Sequence, residues 1–142
     1  MVNKMTDKEF ISGRELIDFC ARELYAKKAE SVKVLNLIGL SDVADYYLVA
    51  TCSSEPQMRA ILNSMVRNLK GQGVRPLGVD YKDGVRWAVA DFGEIMVHLF
   101  EEEERMNLNL ENLWEDIQVE ELDPADYPIE EGDEEDTGNE FI

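Results

Sequence analysis

Leu16, Ile17, Phe19, Cys20 and Leu24 recur at helical spacing, and Ser12-Gly13-Arg14-Glu15 precedes them in the form of a capping box. This predicts an amphipathic helix from Ser12 that ends near Lys27-Lys28, where cations suit the negative end of the helix dipole. Residues 31–40, SVKVLNLIGL, alternate and read as a strand. Residues 46–52, YYLVATC, are apolar on both faces, as in a central strand covered from two sides. Ser54-Glu55-Pro56-Gln57 repeats the capping box, with proline tolerated in the first turn. Behind it Met58, Ile61, Leu62, Met65, Val66 and Leu69 share one side of a helix that stops at Gly71 and Gly73. RPLGV (75–79) is a short strand, and Lys82-Asp83-Gly84 carries the Asp-Gly turn signal. VRWAVA (85–90) and EIMVHLF (94–100) form strands on either side of Asp91-Phe92-Gly93, and LENLW (110–114) supplies a last amphipathic turn or helix.

The order α-β-β-α-β-β-β-α gives an α/β (α+β) fold, a single domain with a mixed sheet of about five strands and helices packed on it. A chain of 142 residues, 44% of them hydrophobic, suffices for one real core. No repeat divides it. Charge sets the boundaries further. Residues 115–142 hold 13 acids and no base, whereas residues 1–114 hold 18 acids and 14 bases, so −13 of the net −17 belongs to the C-terminal part. The segment 1–11 reads as an extension, 12–122 as the domain, and 123–142 as an acidic tail with too few large apolar groups to offset its ordering entropy. Such a tail either solubilises the chain or competes for basic surfaces. A basic stripe able to grip a phosphate backbone is missing, so sequence-specific contact with nucleic acid is not expected.

Composition narrows the chemistry. Cys20 and Cys52 lack CxxC spacing and fit buried free thiols in a reducing compartment. With one histidine and no cysteine cluster, neither a metal nor a cofactor is expected. No apolar run approaches the ~20 residues of a membrane helix, and a cytoplasmic location is expected. Asp91-Phe92-Gly93 matches a magnesium-binding kinase tripeptide, but the Gly-rich loop, strand lysine and catalytic loop that give it meaning are missing; a tight turn explains it. His98 alternates with Met96 and Phe100 on one strand face, and sequence places no nucleophile beside it. Asp42, Asp45 and Asp80 are acids that a magnesium-dependent nucleotidyltransferase would use, yet no Gly-Ser pair followed by Asp-x-Asp accompanies them. P-loop and Rossmann glycine fingerprints are also missing. The expected class is therefore a binding protein and not an enzyme, with the nucleotidyltransferase as alternative.

In VRWAVAD the side chains of Val85, Trp87, Val89 and Asp91 share one face, and Arg86, Ala88 and Ala90 the other. The alanines leave room for a helix to pack closely. Trp87 beside a carboxylate suits the centre of an interface, and a core tryptophan suits the same pattern.

The segments DVADYYLVATCSSEPQMRAI (42–61), RPLGV followed by Asp80, WAVADFGEIMVHLF (87–100) and RMNLNLENLW (105–114) resemble, in order and spacing, the ribosomal silencing factor (Iojap-related) family. The likeness runs from about Gly13 to Trp114. It implies a nucleotidyltransferase-like fold without the catalytic signature, and a translational repressor that acts under nutrient limitation. The implied partner is a protein of the large ribosomal subunit, the one numbered fourteen, at the face where the small subunit docks. Dimerisation when free is also implied. By position, Trp87 matches the family's interface aromatic and Asp80 and Asp91 its acidic contacts. Met96, His98 and Arg105 join them as candidate partner-binding residues. Cys52, Pro56 and Leu108 stand where the family has glycine, arginine and tyrosine, and the long acidic tail exceeds the family's usual length.

Overall fold

The structure, a computed structural model, describes residues 11–81 and 86–129, so the Lys82-Asp83-Gly84 turn, Val85, most of the extension and residues 130–142 lie outside the described residues. Strands β1 (Glu30–Asn36), β2 (Tyr46–Cys52), β3 (Gly78–Tyr81), β4 (Trp87–Asp91), β5 (Ile95–Glu101) and β6 (Gln118–Glu121) make one sheet in the order β3-β4-β5-β2-β1-β6. Only β2 and β5 run parallel; the other neighbours are antiparallel. These two strands lie at the centre because both of their faces are apolar: Leu48, Val49, Ala50 and Val97, His98, Leu99, Phe100 are all buried.

The single-domain mixed α+β fold is as the sequence predicts, with six strands instead of about five. The added strand, β6, reads Gln-Val-Glu-Glu and is exposed throughout, so no alternation announces it. It forms because the outer edge of β1 offers unpaired backbone, and because cations hold its carboxylates. Arg14 donates to both oxygens of Glu120, at 2.8 and 3.1 Å, and Lys33 stands 3.9 Å from Glu121.

Helices α1 (Gly13–Ala26) and α2 (Glu55–Lys70) cover one face. The stripe Leu16, Ile17, Cys20, Ala21, Leu24 packs with Met58, Ile61, Leu62, Met65, Leu69 and the inward side chains Ala88, Ala90, Val97, Leu99 in one core cluster. Ala88 and Ala90 are fully buried, so the thin face of β4 does admit a helix. The first capping box does not form. Ser12 occupies the cap position without a side-chain bond, and Glu94, from the β4–β5 turn, accepts the Gly13 N–H at 3.0 and 3.1 Å instead. A carboxylate at that end meets the positive pole of the helix. The second box half-closes: Ser54 Oγ accepts the Gln57 N–H at 3.2 Å, while Gln57 Oε1 accepts from the Ser53 N–H and not from Ser54.

A short helix α3 (Glu102–Leu108), which the sequence does not announce, leads into a 3-10 turn (Leu110–Asn112) over the opposite face. There Leu35, Leu37, Val49, Phe100 and Leu110 form a second, smaller cluster, with Leu108, Trp114 and Ile117 packed against it. This covers only part of that face.

Residues 123–129 depart from the expected unfolded tail. Past β6 the chain crosses α1: Leu122 is buried, its carbonyl accepts the Tyr25 hydroxyl, and Tyr127 is only 7% exposed. The Tyr127 hydroxyl donates to Asp18 at 2.7 Å, and the ring packs at 6.1 Å from Tyr25. One aromatic anchor, which the charge count hides, secures this segment, so a deletion from Asp123 removes core as well as charge. Tyr127→Ala is expected to cost about 2–3 kcal/mol and lower Tm by roughly 10 °C in a thermal melt. An unchanged Tm would show that the segment is not held. Cys20 and Cys52 are buried free thiols, and burial pushes Cys52 up to about 12. Among the described residues no helix is long and apolar enough to cross a membrane.

Candidate functional site

The part of the second face that α3 leaves uncovered is built from four adjacent strands. Register lines up Asp80, Val89, His98 and Val49 in one row across β3, β4, β5 and β2, and Gly78, Asp91, Met96 and Tyr47 in the next. Trp87 faces Phe100 and then Thr51 in the third row. Gly78, Val79, Asp80, Trp87, Val89, Asp91, Met96 and His98 line a concavity of about 390 Å³. The structure thus brings together five of the six residues singled out from the sequence, Trp87, Asp80, Asp91, Met96 and His98.

The sixth, Arg105, is elsewhere. It belongs to α3, and its side chain is buried where one guanidinium nitrogen donates to the Ser31 carbonyl at 2.7 Å and to Thr51 Oγ1 at 2.8 Å. It lines a different depression, with Glu30, Lys33 and Glu111. Among the departing positions, Cys52 is buried, Pro56 is exposed at the start of α2, and Leu108 packs on the second cluster; none lines the concavity.

The indole is neither sealed in the core nor fully exposed. Trp87 is half-buried: it stacks on Phe100 (5.4 Å between centroids, 19° between planes) and lines the concavity. Its Nε1–H donates to His98 Nδ1 at 3.2 Å. Tyr47 packs against the imidazole at 4.3 Å and meets Trp114 edge-on at 5.9 Å, so aromatic rings run continuously from Trp87 to Trp114. Burial, and next the charge of Asp91, raise the Tyr47 hydroxyl above its ordinary range. Asp91 has a local duty too: Oδ1 accepts the Gly93 N–H at 2.8 Å in a turn where Gly93 has φ of 89°, a conformation that favours glycine. The Asp91-Phe92-Gly93 motif is a turn. Leu77, 75% exposed, and Val79, 40% exposed, add apolar surface at the β3 edge. A sheet face with stacked aromatics, an open apolar floor and carboxylates on the outer strands can bind a surface; among its described residues no nucleophile is paired with a base.

The three acids named for metal chemistry do not all lie on adjacent strands. Asp80 lies on β3, separated by β4 and β5 from β2, which Asp42 and Asp45 precede. Among the described residues no group of three or more His, Cys, Asp or Glu is placed to hold a metal ion.

Burial holds the His98 imidazole down to about 4. As acid is added, the unfolded chain therefore takes up the proton first, from its ordinary value near 6.5. The stabilisation is complete above about pH 6.5 and is lost as pH falls towards about 4. His98 is the only histidine, so between pH 6.5 and 5 the slope is largely its own. Unfolding free energy from urea titrations is expected to drop by about 1–2 kcal/mol across that window. His98→Phe should flatten the slope; the same slope in both proteins would contradict this account.

The chain matches the family described as "Ribosomal silencing factor during starvation" over residues 11–140. It is 34% identical over 113 residues to ribosomal silencing factor RsfS of Halalkalibacterium halodurans, covering 80% of this chain and 97% of that protein. It is 32% identical to RsfS of Bacillus subtilis, covering 80% and 96%. A crystal structure from Bacillus halodurans superposes with a TM-score of 0.67 at 33% identity, over 78% of this chain and all of the other. One from Chromobacterium violaceum gives 0.69 at 26% identity, over 73% and 87%. Sequence and fold agree over most of the chain: the chain belongs to the ribosomal silencing factor family.

Proposed function

We propose that this protein represses translation by docking its open aromatic and acidic face on the large ribosomal subunit, where it sterically blocks the small subunit. The partner in this reading is the large-subunit ribosomal protein numbered fourteen. The observation that carries it is the concavity of Trp87, Asp80, Asp91 and Met96, left open on a sheet whose opposite face two helices cover. Aromatic rings contribute affinity once desolvated, and carboxylates speed encounter with a basic protein and set register. Asp80 is exposed on the outermost strand and Asp91 is half-buried beside the floor, which suits those two duties.

The mechanism breaks no bond. A chain of 16.2 kDa folds to a body roughly 30–40 Å across, large enough to hold two particles apart once bound at their seam. Repression under nutrient limitation and self-association of the free protein belong to the same reading. The test is reassociation of purified small and large subunits on a sucrose gradient. Wild-type protein is expected to co-sediment with the large subunit and to suppress the joined peak, and Trp87→Ala to do neither. Joined particles at full yield in saturating wild-type protein would end the proposal.

A further inference from the structure

We infer that His98 is a positioning residue for Trp87: its imidazole accepts the indole N–H and fixes the ring in the orientation the docking face presents, without giving the partner a hydrogen bond. The inference rests on the docking role proposed for Trp87.

Trp87 and His98 are diagonal neighbours, since Trp87 is registered with Phe100 and His98 with Val89. Stacking on Phe100 keeps the indole flat but does not select which edge points along the sheet. The 3.2 Å bond from Nε1–H to Nδ1 does select it. The acceptor is itself held firmly: His98 is 4% exposed, with Tyr47 at 4.3 Å on one side and Phe100 nearly parallel at 6.1 Å.

Because Nδ1 accepts, the proton of the neutral ring is on Nε2. That atom is buried and has no hydrogen-bond partner among the described residues. An unsatisfied buried donor is costly, and groups of this kind call for an explanation. A phenylalanine would fill the same space without it. What imidazole adds is one acceptor, and that acceptor is spent on Trp87. A direct hydrogen bond to the partner fits poorly, since Nδ1 is engaged and Nε2 is closed to the surface. A ring fixed before binding loses less entropy on docking, so the bond contributes affinity from beneath the interface.

The test has two arms. In the free chain, labelled with ¹⁵N, the Trp87 indole resonance is identified by comparison with Trp114→Phe. His98→Phe is expected to speed exchange of that N–H at least tenfold, and His98→Asn, whose amide oxygen stands near the Nδ1 position, to restore most of the protection. Unchanged exchange in His98→Phe overturns the inference. In the second arm, affinity for purified large subunits is measured as a double-mutant cycle. His98→Phe should weaken binding roughly five- to tenfold with Trp87 present, and leave it unchanged in a Trp87→Phe background, which has no N–H to receive. An equal loss in both backgrounds would mean that His98 serves binding independently of the indole N–H, and also overturns the inference. If Trp87→Ala binds like wild type, the docking reading fails by itself, and the exchange arm still decides what His98 does to the indole.

Discussion

Trp87→Ala is expected to weaken binding to large ribosomal subunits by roughly 100-fold, measured as the fraction co-sedimenting across a protein titration. The magnitude follows from where the ring is. One side is already spent on Phe100, and the part lining the concavity remains to be buried by a partner. Large aromatics at such centres account for about 2–4 kcal/mol on truncation, and 1.4 kcal/mol is a factor of ten. The substitution also removes half-buried surface from the fold, at a cost of about 1–2 kcal/mol, so a thermal melt must show the variant folded. Asp80 belongs to a different class of contact: on an outer strand its carboxylate acts mainly on the encounter rate, and its loss should show chiefly as a weaker salt dependence. Retention of Trp87→Ala at the wild-type level would sink the proposed docking face, whatever its neighbours do.

Much of that face was legible in seven residues. Alternation in VRWAVAD separates Trp87, Val89 and Asp91 from Ala88 and Ala90, and the small size of the alanines already says which side a helix takes. The doubly apolar YYLVATC likewise announces a central strand, and β2 is one. Period and side-chain volume are local, so the sequence carries them openly. What it conceals is fixed by partners far along the chain. Strand β6 has no apolar face and exists through pairing with β1 some 80 residues earlier. Helix α3 begins with acids and shows no stripe, because a single arginine and the second cluster hold it. Glu94 caps a helix that starts 81 residues before it, where the nearer Ser12 looks the better candidate. Tyr127, amid acids and prolines, is buried by α1 and not by its own neighbours. Composition averaged over a segment cannot register one anchored ring.

Removal of Arg105 is the largest stability effect expected here. Arg105→Ala should destabilise the fold by about 3 kcal/mol while leaving the affinity of the folded protein for large subunits within about twofold. Its guanidinium reaches 74 residues back to the Ser31 carbonyl and 54 back to Thr51 Oγ1, and stands 3.5 Å from Glu111. Ser31 lies within the irregularity of β1 between Glu30 and Lys33, where the pairing with β2 slips, and has φ of 55°. A non-glycine residue rarely adopts that conformation, and the slip turns a carbonyl away from the ladder. Arg105 supplies the donor this carbonyl lacks and ties the bulge to β2 with one group. Alanine leaves the carbonyl unpaired, removes the apolar stem under α3, and leaves Glu111 with Lys33 alone among the ion pairs of the described residues. Arg105→Lys keeps the charge without the planar fork and should recover less than half of the loss. Urea unfolding of the three proteins measures this directly, beside binding at a temperature where all are folded. A variant that keeps wild-type stability but fails to bind would return Arg105 to the interface, at the edge of the face where Thr51 and Phe100 are registered.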